Sequence, residues 1–276
     1  MKHTGLLLLL CLALPAHAAE PLKFGVANQR PVMLTAQVWN PILAYVSKKS
    51  GVPLVLAMGK TATETTDLAA SAQLDFVYTN TLFTPQRDKI GFHAIARFNS
   101  PPIRGQIIVP EQSPIHQLSE LDGKKLAVPT RESFISYALQ MHALKRAGAK
   151  VETVFTGSQE GGFAQMANQR VDAAVGNSKI IESYAAREGM RYRAIFTSAA
   201  YPDLPIMAHP RVARSTVEKV LAALLGMSHD PEGRRILDDA NAILMAEQPL
   251  AFVRAKDRDY ADYRRFYLNA EGHQQP

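Results

Sequence analysis

The feature that most constrains this chain is a regular alternation of short apolar segments with longer segments of helical periodicity. Apolar runs of strand length occur at Leu22–Ala27, Val52–Ala57 and Leu74–Tyr78, and an amphipathic segment over residues 33–50, ended by Gly51, separates the first two. Strands that alternate with helices pair in parallel and carry the helices on the faces of their sheet. The first part of the sequence therefore predicts an α/β fold.

A second series of the same kind begins after residue 104. Its strands are predicted at Gly105–Val109, Leu126–Val128, Thr153–Phe155 and Val171–Val175. Residues 100–102 and 198–205 are expected to cross between the two series. The pattern predicts mixed, mainly parallel sheets flanked by helices, in two lobes with a ligand cleft between them. Lobe 1 is expected to comprise residues 19–100 plus 200–276, and lobe 2 residues 101–199.

The loops that follow the predicted strands mark the expected binding face, because ligands of such sheets lie at the carboxyl ends of the strands. In the loop after Val128, a helix is expected to start behind Pro129, with Thr130 or Ser133 as its N-cap. Backbone N–H groups and the helix dipole there suit a ligand with acceptor or anionic atoms. An ordinary connection from a strand to a helix that binds no ligand would show the same sequence pattern. The residues expected at this face are Asn28, Tyr78, Thr79, Asn80 and Thr130–Ser133.

The first 18 residues have the organisation of a secretory signal peptide. Lys2 precedes an apolar run, and Ala16-His17-Ala18 provides a small-x-small cleavage site. Cys11 is the single cysteine of the sequence and lies within this run, so the mature chain cannot form a disulfide. An exported protein without disulfides fits a bacterial periplasm.

Several other functions are disfavoured by the sequence. The 31 Lys and Arg residues and the 25 Asp and Glu residues are interspersed, without a basic stripe that carries aromatic residues, which argues against nucleic-acid binding. The histidines are scattered, and no known catalytic or nucleotide-binding motif is present. We therefore expect neither an enzyme nor a metal or cofactor site, and we expect a monomer.

Three regions of the chain resemble the periplasmic solute-binding proteins of phosphate, phosphite and phosphonate ABC transporters. They are SPIHQLSELDGKKLAV, FTGSQEGGFAQMANQRVDAAVGNS and the C-terminal pair HDPEGRRILDDANAI and FVRAKDRDYADYRR, in the order and spacing of that family. The resemblance spans nearly the whole mature chain. It implies a type II periplasmic binding fold, whose two lobes close on one ligand and then dock on an inner-membrane permease.

The chain also departs from this family at positions that hold the ligand. The family carries a Ser-Thr-Ser run at the helix start of its second lobe, whose hydroxyls and amides hold phosphonate oxygens; the corresponding residues here are Ser133, Phe134 and Ile135. Three further family positions, a His, an Asp and a Gly-Pro loop, are replaced here by Gln159, Asn177 and Thr79-Asn80.

The loss of two hydroxyl groups predicts a largely apolar ligand with a small polar head, of the lipid or sterol type. Each missing hydrogen bond to a charged group weakens binding by about 1–3 kcal/mol, whereas buried apolar surface contributes about 25 cal/mol per Å². Two groups of side chains would form this site. The polar head is assigned to Thr130, Glu132, Gln159 and Asn177, and the apolar body to Phe134, Ile135, Tyr78 and Phe98. Phe134 and Ile135 would alternatively pack under their own helix without contacting a ligand.

The alternative interpretation keeps the ligand of the family, a phosphate-like oxyanion. Its binding residues would be Arg30, Asn80, Arg104, Arg131 and Ser133, and an arginine can donate two parallel hydrogen bonds to oxygen atoms. The transport partner would be an inner-membrane permease or another carrier. A sensor role, in which the closed lobes contact a receptor kinase, would use the same site, and the sequence leaves it open.

Overall fold

The computed structural model describes residues 20–28, 30–246 and 248–272, without the side chains of residues 271 and 272. The predicted signal peptide, residues 1–18, lies outside the described residues. No helix within these ranges is long and apolar enough to cross a bilayer.

The first hundred residues form the predicted alternation of strands and helices. The elements are β1 (Leu22–Val26), α1 (Val32–Ser50), β2 (Leu54–Leu56), α2 (Ala62–Ala70), β3 (Phe76–Tyr78), α3 (Pro85–Asp88) and β4 (His93–Phe98). Helix α1 buries the apolar side of its sequence, including Trp39 and Ile42. It ends where Gly51 adopts a left-handed conformation (φ 69°) and donates its N–H to Ser47.

The middle of the chain continues the alternation. The elements are β5 (Gly105–Pro110), β6 (Lys125–Val128), α4 (Leu139–Arg146), β7 (Glu152–Phe155), α5 (Gln159–Ala167), β8 (Ala173–Asn177), α6 (Ser178–Glu188) and β9 (Tyr192–Thr197). A π-helical turn, Phe134–Ala138, precedes α4, and Ser133 caps it by accepting a hydrogen bond from the Ser136 N–H at 3.0 Å. The helix after β6 thus starts later than Thr130.

The last part of the chain returns to the first sheet. Its elements are β10 (Pro205–Ala208), α7 (Arg214–Gly226), α8 (Pro231–Leu244), β11 (Phe252–Arg254) and α9 (Ala261–Gly272). Strand β10 lies between β3 and β4 and is antiparallel to both.

Two mixed sheets result, in the orders β11-β4-β10-β3-β1-β2 and β7-β6-β8-β5-β9. We call the parts of the chain around them the first and the second lobe. Two crossing segments, residues 99–104 and 198–204, connect them, and Ile103 and Tyr201 on these segments exchange backbone hydrogen bonds of 2.7 and 2.9 Å. The exact lobe boundaries predicted from the sequence remain a prediction.

The apolar core of the first lobe extends into the second. Trp39 packs on Phe24, Tyr78 and Phe98, with ring centroids 4.8–5.8 Å apart. The same cluster of buried residues includes Phe134 from the start of the second lobe's first helix. The two lobes therefore share part of their core beside the crossing segments.

Candidate functional site

Two cavities lie between the lobes. The larger has a volume of about 670 Å³, and we call it the charged cavity. Its wall comes from the β1–α1 loop, the start of α2 and the loops after β6 and β7, so both lobes contribute. The side chains relevant to binding in this wall are those of Asn28, Arg30, Lys60, Thr61, Thr63, Thr130, Arg131, Glu132 and Ser158.

The first-lobe wall of the charged cavity is held by a small hydrogen-bond network. Asn28 donates to the Gly59 carbonyl at 3.3 Å and accepts from the Thr65 hydroxyl at 2.7 Å, while Thr65 accepts from the Gly59 N–H at 2.9 Å. Thr61 caps α2 by accepting from the Glu64 N–H. Asn28 therefore fixes the loop beside Lys60, and the first N–H groups of α2 lie at the cavity.

The second-lobe wall is formed by the residues after β6 and β7. The Thr130 hydroxyl accepts from the Glu132 N–H at 3.3 Å. The Arg131 guanidinium lies 4.7 Å from the centre of the Phe155 ring. Ser158 caps α5 by accepting from the Gly161 N–H at 3.1 Å. These loops place two hydroxyl groups and one cation opposite the cations of the first lobe.

Ion pairs bridge the two lobes beside the charged cavity. Arg87 of α3 contacts Glu132 at 2.7 Å, so the carboxylate predicted to bind the ligand is paired across the cleft. Arg30 lies 3.9 Å from Glu160, and Glu160 also contacts Arg187 at 2.9 Å. Burial lowers the pKa of Arg30, and the Glu160 carboxylate opposes this shift. These pairs hold the two walls together.

The second cavity, which we call the inner chamber, has a volume of about 260 Å³. Its apolar side chains come from both lobes and a crossing segment: Tyr78, Phe98, Ile103, Ile180, Leu244 and Leu250. Asp203 and Asn177 also face it, and Arg30 belongs to the walls of both cavities. Burial raises the pKa of Asp203, although hydrogen bonds from the Leu204 N–H and from Ser100 oppose this shift.

Phe134 and Ile135 lie in the core and not in the wall of either cavity. Phe134 is completely buried and Ile135 is 3% exposed. The Phe134 ring packs against aromatic rings of α9 and of a crossing segment, with centroid distances of 4.3–5.4 Å; these are Tyr201, Tyr263, Phe266 and Tyr267. The assignment of Phe134 and Ile135 to an apolar ligand is corrected accordingly.

Five other predicted residues also lie outside the walls of the two cavities: Thr79, Asn80, Arg104, Ser133 and Gln159. Thr79 and Asn80 are buried and bond to Thr81 and Tyr263. Arg104 donates to the Ser198 carbonyl at 2.9 Å.

Gln159 forms a hydrogen bond within the second lobe: its side-chain oxygen accepts from the Asn177 N–H at 2.7 Å. The Asn177 side chain in turn caps α6 by accepting from the Lys179 N–H at 3.0 Å. Thus, of the residues that replace the family His and Asp, Gln159 bonds to the Asn177 backbone and Asn177 caps α6, and only Asn177 reaches the inner chamber.

Some residues of the two cavities were not predicted from the sequence. For Lys60, Thr61 and Thr63 a signal existed, because Thr61 and Glu64 have the spacing of a helix capping pair. Arg87 and Asp203 carry no comparable local signal. Within the described part of the chain, no group of three or more His, Cys, Asp or Glu side chains could hold a metal ion.

The two sheets, the crossing segments and the cleft define a two-lobed solute-binding protein. A sequence model described as "ABC transporter, phosphonate, periplasmic substrate-binding protein" matches residues 24–260. The chain therefore belongs to the family of periplasmic substrate-binding proteins of phosphonate ABC transporters, and it is a binding component rather than an enzyme. A search of curated proteins found no significant match.

Solved structures of low sequence identity share the fold. A binding protein component of an ABC phosphonate transporter from Pseudomonas aeruginosa superposes with a TM-score of 0.77 at 15% identity, over 91% of this chain and 87% of that chain. PhnD1 from Prochlorococcus marinus, in complex with methylphosphonate, gives 0.75 at 15% identity, over 91% and 98%. The aliphatic sulphonate binding protein SsuA from Escherichia coli gives 0.59 at 16% identity, over 93% and 88%. These similarities establish the type II periplasmic binding fold.

Proposed function

We propose that this protein binds an oxyanion of the phosphonate class in the charged cavity and delivers it to an ABC permease. The observation that carries the proposal is the convergence of Arg30, Lys60 and Arg131 on one cavity between the lobes. The one carboxylate in that wall, Glu132, is paired with Arg87, so its charge is largely compensated. A cavity with such a cationic wall favours an anionic ligand.

The chemistry of the wall also suits tetrahedral oxyanions. Hydroxyl groups of Thr61, Thr130 and Ser158 and the N-terminus of α2 surround the cations and add hydrogen-bond donors for several oxygens. Family membership and the methylphosphonate complex of PhnD1 favour a phosphonate over other oxyanions.

A lipid or sterol ligand has no support. That hypothesis depended on Phe134 and Ile135 lining a pocket, and both side chains pack in the protein core instead. The oxyanion hypothesis is the better one, although its binding residues differ in part from those expected: Arg30 and Arg131 are in the wall, whereas Asn80, Arg104 and Ser133 are not.

Calorimetric titration with methylphosphonate tests the proposal. We expect Lys60→Gln and Arg131→Gln to weaken binding by about tenfold or more each, because each removes a charge-assisted hydrogen bond. Lys219→Gln, which removes an exposed lysine of α7 away from both cavities, is the matched control and should bind like the wild type. Absence of binding to the wild type, or equal affinity in all variants, would contradict the proposal.

A further inference from the structure

The inner chamber lies at the interface of the two lobes. Apolar side chains form much of its wall, beside the polar residues Ser100, Lys179, Glu182, Ser183 and Gln248. Tyr78 and Phe98 contribute from the first lobe, Ile180 from α6 of the second, and Ile103 from a crossing segment. All four side chains are at most 9% exposed, so little of their surface faces water. With a volume of about 260 Å³, the chamber is large enough for a small organic group.

Arg30 connects this chamber to the charged cavity, because its side chain forms part of both walls. The guanidinium is held from two sides: Glu160 of the second lobe lies 3.9 Å away, and the Leu244 carbonyl accepts a hydrogen bond at 3.3 Å. An anionic group bound at Arg30 in the charged cavity would therefore lie next to the inner chamber.

We propose that the inner chamber receives the organic substituent of the ligand, so that the protein selects organophosphonates with an apolar group of several carbons over inorganic phosphate. This inference rests on the proposed function, since it requires the anionic group to bind in the charged cavity. The chamber would make binding depend on the organic substituent, whereas the cations of the charged cavity recognise only the anionic group.

The polar groups of the chamber are consistent with an apolar substituent. The Asp203 carboxyl already accepts the Leu204 N–H at 2.7 Å. The Asn177 amide oxygen already accepts the Lys179 N–H. Lys179 and Glu182 of the same wall pair with each other at 3.8 Å. Because these polar groups have partners within the protein, apolar side chains supply much of the surface left for a ligand.

The experiment is a calorimetric series on the mature protein with inorganic phosphate, methylphosphonate, butylphosphonate and 4-aminobutylphosphonate. We expect affinity to rise by about fourfold for each added methylene that enters the chamber, with butylphosphonate the tightest ligand. In Ser183→Trp, an indole added on the chamber wall should bring the ratio of the butyl to the methyl affinity close to one. Ala186→Trp adds the same ring to an exposed position of α6 and should keep the wild-type ratio.

The outcomes separate this inference from the proposed function. Equal affinities for methyl- and butylphosphonate would overturn the inference while leaving oxyanion binding intact. Tighter binding of the aminobutyl compound would also overturn it, because it would mean that a carboxylate of the chamber wall, Asp203 or Glu182, binds a cationic group. Failure of every phosphonate to bind would overturn the proposed function itself.

Discussion

At the scale of single residues, Asp203 is a buried carboxyl whose ionisation lowers the stability of the fold. It lies at the inner chamber, and burial raises its pKa. A carboxyl group with a higher pKa in the folded than in the unfolded chain binds its proton more tightly when folded. Stability therefore falls as the pH rises from the unfolded value, about 4, through the folded pKa.

The variant Asp203→Asn tests this effect. Asparagine keeps an acceptor for the Leu204 N–H but has no charge to bury. We expect it to melt at a higher temperature than the wild type at about pH 8, and the difference to close as the pH falls towards about 4. Melting curves recorded across this range provide the measurement. A constant difference between the two proteins would show that Asp203 does not titrate in this way.

The structure also shows which individual residues of the site could be predicted from the sequence. Asn28, Thr130 and Arg131 follow from the rule that strand ends form the binding face, and they line the charged cavity. Glu132 follows from the same rule, but its pairing with Arg87 involves an element forty-five positions earlier in the chain, so no local pattern could reveal it.

At the scale of elements, the contact of α9 with the π-helical turn links the two lobes outside the crossing segments. Phe134 enters a cluster of aromatic rings from α9, and Tyr263 at its centre is completely buried and donates to the Pro202 carbonyl at 2.7 Å. The position where the family places hydroxyl groups for its ligand is thus used here for packing.

Phe134→Ala should destabilise the protein by about 3–5 kcal/mol. The substitution leaves a cavity that the surrounding aromatic rings cannot fill by moving closer to one another. Phe155→Ala removes a ring that is 43% exposed and should cost much less. Urea unfolding of both variants gives the comparison. Equal losses of stability would mean that the aromatic cluster does not hold the lobes together.

Elements with strong periodicity were predictable, and those that depend on distant partners were not. The strands β1, β3, β6 and β8 and the long helix α1 follow from their apolar pattern. The short strands β10 and β11 were not predicted, because they are only four and three residues long and pair with strands that are distant in the sequence. A helix near α9 was expected only from the family resemblance of residues 252–265 and not from periodicity. The sequence alone left two roles for Phe134, contact with a ligand or packing under its own helix, and it did not reveal the aromatic partners on α9.

At the scale of the whole molecule, the two lobes are in contact across the cleft. The pairs Arg87–Glu132 and Arg30–Glu160 each join one side chain from each lobe. If the crossing segments, residues 99–104 and 198–204, act as hinges, both pairs have to separate when the cleft opens. The ligand-free protein should therefore favour a closed form.

Removing both carboxylates tests this expectation. We expect Glu132→Gln/Glu160→Gln to have a larger radius of gyration than the wild type in ligand-free solution scattering. Ion pairs of this kind contribute about 0.2–1 kcal/mol each, so the ratio of open to closed protein should rise by about two- to thirtyfold.

The control is Glu152→Gln/Glu232→Gln, which removes two ion pairs that lie within single lobes, with Lys125 and Lys48. Its radius of gyration should equal that of the wild type. If the cleft variant is also unchanged, the ion pairs do not decide whether the cleft is open.

The position of β10 has a consequence for how the chain acquires its structure. Strands β3 and β4 are consecutive in the sequence, but in the sheet they are separated by β10, which is made from residues 205–208. Neither strand can complete its hydrogen bonds until that much later segment is present, and such long-range pairing is slow. The first lobe therefore cannot finish folding before about the last quarter of the chain, which begins at residue 205, is available. Refolding of the purified protein should therefore end with the slow insertion of β10 between β3 and β4.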